Sequence, residues 1–279
     1  MNLLKQTKEL CKIYEIHPAR SKGQNFLIKE DVYQKIIESA DLQKNDTVLE
    51  VGPGLGFLTT KLAEKVKRVV AVELDDKLAK ILQMGIHASD IKNAEIINDD
   101  ILTASFEPLL NRKGEYKIVA NLPYNITSIF LRKFLSEIEH KPKMMVLLLQ
   151  KEVVERIMAK PGQMSLLAVS AQFYTKAEKI ADVPASAFWP QPKVDSAIIK
   201  LNVGTGHCPV HKKDEKKFFR LVKIGFSAKR KQLQKNLSAG LHIEQDKIKE
   251  ILKKNNLNEK VRAQELSLDD WRDLYDSLF

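Results

Sequence analysis

The chain has 279 residues, of which 44% are hydrophobic and 29% charged, and its formal net charge is +10. This composition excludes a disordered chain, and the length allows one large domain or a larger and a smaller one, each able to bury a core. The basic excess favours an anionic partner, nucleic acid first, although a plain basic enzyme also fits it.

In chain order, residues 3–16 place apolar side chains at Leu3, Leu10, Ile13, Tyr14 and Ile16, a loose helical pattern. Pro18 and Gly23 break it, and a second helix starts at Asp31 with Val32, Ile36 and Ile37 on one face. An alternation follows: strand 47–52, helix 57–66, strand 68–75, and a helix 76–85 that stops at Gly85. Strands at 94–100, 116–122 and 144–150 come next, with helices at 128–138 and 151–159. The runs 165–174 and 196–203 lack a full intervening helix and are expected to be strands closing the sheet, one of them antiparallel. The pattern predicts an α/β fold with a doubly wound, Rossmann-like parallel sheet over residues 1–205. After the Gly/Pro stretch 204–209 only helical periodicity remains, so a small all-helical domain is expected over 206–279.

Cys11 and Cys208 form no disulfide framework and fit a reducing compartment. Cys208 lies between His207 and His211 without the spacing of a zinc site, so no metal is expected. The N-terminus lacks a signal-peptide core, and the longest apolar run, 144–149, is too short to cross a membrane. These features predict a cytoplasmic protein.

"EVGPGLGFLT" (50–59) joins the first sheet strand to its helix, with Gly52, Gly54 and Gly56 spaced G-x-G-x-G. Glycines at a helix N-terminus let a ligand approach the backbone closely. The last glycine comes one residue early for the dinucleotide fingerprint G-x-G-x-x-G. A cofactor without phosphate, such as S-adenosylmethionine, needs only room and shape there. Glu73, ending the next strand, can accept from two ribose hydroxyls, and Asp99, after the third, can accept from an adenine amino group. Each acid alone is equally a cap or a turn residue. NAD shares the ribose contact and stays open on these residues.

"VANLPYNITS" (119–128) ends the fourth sheet strand with Asn121, Leu122, Pro123 and Tyr124 in succession. An adenine N6 lone pair is delocalised into the ring, so the amine is a poor nucleophile. Two acceptors on its N–H bonds favour the pyramidal geometry and stabilise the charge that develops on nitrogen. Asn121 can supply a side-chain oxygen, and Leu122 a backbone carbonyl that Pro123 withholds from the sheet. Tyr124 can stack on the base. A plain turn with a core tyrosine is the alternative.

Together these segments resemble the ribosomal RNA adenine N6-dimethyltransferase family, and within it the bacterial small-subunit enzymes. The resemblance rests on "GQNFL" (23–27), the glycine loop, "VELD" (72–75), "NDDIL" (98–102), "NLPYNITS" (121–128), "LQKEVVERI" (149–157), "FWPQPKVDSAI" (188–198) and "FSAKRKQLQKNL" (226–237). It implies an S-adenosylmethionine-dependent methyltransferase domain over 1–205, with 1–29 as an N-terminal flap, and a helical RNA-binding domain over 206–279. It implies cofactor contacts from Asn25, Leu27, Gly52, Gly54, Glu73, Asp99 and Asn121. It also implies a base site of Asn121, Leu122, Pro123 and Tyr124, with Phe188 as a second ring. The implied reaction is dimethylation of N6 on two adjacent adenosines near the 3′ end of 16S rRNA. The implied partner is an immature 30S particle, met by a monomeric enzyme. Two departures stand out: 160–172 is shorter than is usual in the family, and the basic run carries Lys where Arg is common.

Between Lys212 and Lys235 ten Lys/Arg face two acids, and Phe218, Phe219 and Phe226 interleave with them. The rings are expected in a core by their helical spacing. Lys229, Arg230 and Lys231 are expected on phosphates, and Arg20 and Lys22 of the flap on RNA. Structured RNA is then selected by shape, with the target base flipped into the site. Three other readings remain: a macrolide-resistance-type enzyme acting on 23S rRNA, a non-catalytic assembly factor, and an amino-group methyltransferase acting on DNA or protein.

Overall fold

The computed structural model describes residues 2–18, 24–104, 110, 115–206 and 214–279. The chain forms two compact units, Met1–Val154 with Ala177–Val203, and Glu155–Lys176 with Gly204–Phe279. Segment 155–176 therefore groups with the C-terminal helices, where the sequence reading drew a single cut after residue 205.

The first unit opens with α1 (Leu3–Ile13), capped by the Asn2 side chain, then β1 (Phe26–Leu27) and α2 (Glu30–Ser39). The alternating part runs β2 (Thr47–Val51), α3 (Phe57–Ala63), β3 (Arg68–Glu73), α4 (Asp76–Ala88), β4 (Ala94–Asn98), β5 (Tyr116–Asn121) and α5 (Thr127–Arg132). A π-type turn over Lys133–Glu137 extends α5. Then come β6 (Met144–Gln150) and α6 (Lys151–Ile157), with α7 (Leu166–Tyr174) in the other unit. The sheet is completed by β7 (Thr175–Val183) and β9 (Ser196–Val203), with the short β8 (Phe188–Trp189) between them in sequence.

The main sheet has the order β4-β3-β2-β5-β6-β9-β7. β2 pairs in parallel with β3 and β5, β3 with β4 and β5 with β6, while β9 is antiparallel to β6. From β2 the chain steps outward to β4, then returns to place β5 on the other side. The C-terminal ends of β2 and β5 thus flank the switch point, where open α/β sheets bind ligands. These strands are near-continuous apolar runs, and Val48, Leu49, Ile118, Val119, Val146 and Leu147 are fully buried. That composition suits strands covered on both faces. At the opposite end of the sheet, Lys117 of β5 is buried against Asp46 at 2.9 Å and donates to the carbonyls of Ala40 and Asp41, fixing the end of α2.

Two sequence expectations are corrected. Residues 166–174 are helical: Ser165 caps α7 through the Ala168 N–H at 3.2 Å. A run this apolar does not separate helix from buried strand by period. The strand lies just after it, in "TKAEKIADV", whose Lys and Glu residues suit its place at the sheet edge. Gly85 does not end α4, because Ile86 is buried and holds the helix together as far as Ala88. Interior glycine costs only ~1 kcal/mol against that packing.

The second unit is helical from residue 215 onward: α8 (Glu215–Gly225), α9 (Leu233–Leu241), α10 (Gln245–Lys254) and α11 (Leu268–Leu278). Phe218, Leu221, Leu233, Leu252, Trp271 and Leu274 form its buried core. Phe173 stacks on Phe218 at 5.1 Å, Phe219 meets both, and Phe226 lies 5.7 Å from Trp271. The three rings of the basic segment therefore pack as expected from their spacing.

Candidate cofactor and base site

A cavity of about 260 Å³ opens at the switch point, just below the usual range for small-ligand pockets. Its floor is the turn between β2 and α3. Gly54 and Gly56 have φ of +58° and +82°, which side chains of L-residues rarely adopt. A Cβ on Gly54 would sit 3.3 Å from the Phe26 ring, and one on Gly56 would run into Leu82. The first glycine lets the N-terminal segment close over the loop; the second lets α4 pack beneath it.

Glu73 ends β3 and reaches into the loop. Its Oε2 accepts from the Gly54 N–H at 3.0 Å, and its Oε1 from the Asp75 N–H at 3.0 Å. Burial raises its pKa, and those two N–H groups pull the other way. Each carboxylate oxygen keeps a second lone pair for a ligand hydroxyl. Asp99 follows β4, its own N–H on the Glu73 carbonyl at 3.1 Å, and its side chain is exposed at the cavity rim. Leu74 and Ile101 add apolar wall, and Leu74 is 63% exposed. An exposed leucine beside a pocket is apolar surface available to a flat ligand.

β5 supplies the other wall. Asn121 donates through Nδ2 to the Asn25 carbonyl at 3.4 Å, which leaves Oδ1 as an acceptor. The Leu122 N–H donates to the Leu148 carbonyl at 3.2 Å. Among the described residues no donor reaches the Leu122 carbonyl, whereas the Pro123 carbonyl takes both the Ile126 N–H and the Thr127 hydroxyl. Tyr124 begins a short 3-10 turn, half-buried, with its hydroxyl 2.8 Å from Ser196 Oγ. Burial raises its phenol pKa, and the Ser196 bond opposes that.

Asn25, Leu27, Gly52, Gly54, Glu73, Asp99, Asn121, Leu122, Pro123 and Tyr124 all line this one cavity. Phe188 does not line it: it is 3% exposed, paired with Leu27 across β1 and β8, and packed with Leu27, Leu148 and Ile198. The second ring implied for the base thus has a different setting, that of a buried prop beneath β1. Arg20 and Lys22 lie outside the described residues, as do Cys208, His207 and His211. No group of potential metal ligands occurs among the described residues. In the second unit, Lys229, Arg230 and Lys231 are exposed on the turn between α8 and α9. Buried Asn236 pins that turn, donating to the carbonyls of Gly225 at 2.7 Å and Ala228 at 3.2 Å.

Two site residues were passed over in the sequence. Glu50 lines the cavity at 1% exposure, and its Oε2 has no hydrogen-bond partner among the described residues. Burial, reinforced by the Glu73 charge, pushes its pKa up to about 8. Thr59 is close enough to favour the ionised form, yet its hydroxyl makes no hydrogen bond of normal geometry. The signal was a lone acid inside the apolar strand "TVLEV". Ser196 is the second, with no signal beyond a serine at the start of an apolar strand.

The residues present fit S-adenosylmethionine. The glycine cradle admits a ligand without phosphate, Glu73 has lone pairs for a diol, and the walls are apolar.

A family model described as ribosomal RNA adenine dimethylase matches residues 17–278. "Ribosomal RNA small subunit methyltransferase A" of Dehalococcoides mccartyi (strain 195) is 41% identical over 271 residues, covering 97% of this chain and 92% of the relative. The protein of the same name from Clostridioides difficile (strain 630) is 38% identical, covering 95% and 92%. Among solved structures, a dimethyladenosine transferase from Plasmodium falciparum aligns with TM-score 0.72 at 27% identity, covering 89% of this chain and 95% of that one. The 23S rRNA methyltransferase ErmE aligns with TM-score 0.74 at 27% identity, covering 91% and 99%.

Proposed function

The chain belongs to the ribosomal RNA adenine dimethylase family, and on that premise we propose how its residues perform the reaction and on what substrate. The enzyme is an S-adenosylmethionine-dependent rRNA dimethyltransferase acting on N6 of adenosine in 16S rRNA. The finer reading is that it modifies two adjacent adenosines near the 3′ end, within an immature 30S particle, as a cytoplasmic monomer serving ribosome biogenesis. Among the described residues, no helix is long and apolar enough to cross a membrane.

The observation that carries the mechanism is the pair of open acceptors at the end of β5, Asn121 Oδ1 and the Leu122 carbonyl. They take the two N–H bonds of the exocyclic amine, turning its lone pair toward the cofactor side of the cavity and stabilising positive charge on nitrogen. Asn25 fixes which end of the Asn121 amide faces the base. Tyr124 presents a ring face to a base flipped out of its stack. Bound S-adenosylmethionine supplies an electrophilic methyl group on a sulfonium. Glu73 would hold its ribose and Asp99 would meet its adenine amino group, while Gly52 and Gly54 would leave it space. No strong base is required, because the methylated ammonium is acidic. The residues contribute alignment and electrostatics.

The similarity to ErmE favours a second reading, methylation of 23S rRNA. Incubation with S-adenosylmethionine and either 30S particles or naked 23S RNA, followed by nuclease digestion and mass spectrometry, separates the two. N6-dimethyladenosine in the 16S rRNA alone is expected. Dimethyladenosine only in 23S RNA would replace this reading with the second, and none in either would remove both.

A further inference from the structure

Ser196 opens β9, opposite Gln150 of β6, and is wholly buried. The residues that follow it, Ala197, Ile198 and Ile199, are apolar and buried, as an interior strand requires. A hydroxyl there is costly to desolvate unless it is hydrogen-bonded, and Ala or Val would pack without that cost. Its partner among the described residues is the Tyr124 hydroxyl, 2.8 Å away. Tyr124 needs such an anchor. It sits on one 3-10 turn just past a strand end, outside the ladder of the sheet.

We propose that Ser196 is a positioning residue for methyl transfer, its hydroxyl clamping the Tyr124 phenol so that the ring face stands ready before the base arrives. The inference rests on the reading of Tyr124 as the stacking surface. A ring fixed in advance loses no rotamer freedom when the base binds. Its misplacement lowers the rate of transfer and leaves cofactor affinity alone. The base edge changes from NH₂ to NHCH₃ between the two transfers, whereas the face does not, so a platform that reads the face serves both rounds.

The test compares wild type, Ser196→Ala, Tyr124→Phe, the double variant and Ser196→Thr in single-turnover methyl transfer to 30S particles at saturating cofactor. Cofactor affinity is measured in parallel by calorimetry. Each single variant is expected to slow transfer roughly tenfold with cofactor Kd unchanged. The double variant should be no slower than the slower single one, because both remove the same bond. Ser196→Thr should restore most of the rate. A wild-type rate in Ser196→Ala, additive losses in the double variant, or equal loss of rate and cofactor affinity overturns the proposal. Tyr124→Phe probes the same bond from the other side if Ser196→Ala fails to fold. If the wild type itself transfers no methyl, the functional reading has failed and the clamp is judged by nuclear magnetic resonance of ¹³C-tyrosine-labelled protein. Ser196→Ala should then free a restricted Tyr124 ring, and unchanged ring motion sinks the clamp.

Discussion

Replacing Glu73 by Gln tests the cofactor site with almost no change in shape. The carboxylate is 7% exposed and accepts one backbone N–H on each oxygen, from Gly54 and Asp75, both at 3.0 Å. In the amide one oxygen becomes NH₂, so one of those N–H groups faces a donor whichever way the side chain turns. That defect is present with or without ligand, and it lowers stability by about 1–3 kcal/mol. The effect on binding comes from the ribose. A hydroxyl that loses a charged acceptor forfeits about 1.5–3 kcal/mol. At ~1.4 kcal/mol per decade this weakens S-adenosylmethionine binding by about 10- to 150-fold. S-adenosylhomocysteine has the same ribose and should lose the same factor. Titration calorimetry with both ligands, on protein shown by thermal melting to be folded, measures it. Binding within about threefold of wild type, less than 0.7 kcal/mol, would refute the assignment of Glu73 to the ribose.

Glu50 predicts a pH dependence of stability. Its carboxyl is pushed up to about 8 when folded, so the folded state holds the proton more tightly than the unfolded chain. That contribution is complete below the ordinary carboxyl range and is lost as pH rises through about 8. Glu50→Gln cannot ionise, so its melting temperature should gain on wild type between pH 6 and pH 9; parallel melting curves across that range would contradict the buried acid. In the second unit, Lys229→Ala, Arg230→Ala and Lys231→Ala combined should weaken RNA binding at low salt. The combined variant should also flatten the slope of log affinity against log salt by roughly 2–3. An unchanged slope in a filter-binding titration would move the phosphate contacts elsewhere.

The parts of the fold with strong periods were legible. β2, β3, β5 and β6 are near-continuous apolar runs, and Gly52, Gly54 and Gly56, all at positive φ, mark the turn between β2 and α3. Ten candidate residues, spread from Asn25 to Tyr124, meet in one cavity: eight sit at or just past the C-terminal ends of β2, β3, β4 and β5 on one edge of the parallel sheet, and Asn25 and Leu27 come from the segment at β1. What escaped had no local signature. β1 and β8 are two residues each, too short to show any period, and their pairing across 160 positions is what buries Phe188. α7 reads as a strand because apolar residues cover both its faces, while the real edge strand β7 hides behind Lys176, Glu178, Lys179 and Asp182. Ser196 meets Tyr124 over 72 residues through a register that only the folded sheet sets.

The central claim is that the end of β5 is a platform for the amine and its base, with Tyr124 serving the base and not the cofactor. Tyr124→Ala separates the two most directly. Cofactor affinity by calorimetry should stay within about threefold of wild type, while single-turnover methyl transfer to 30S particles falls by about 5- to 150-fold, the loss of one base–aromatic stack of about 1–3 kcal/mol. A transfer rate equal to wild type, or cofactor binding lost in step with transfer, would contradict the account.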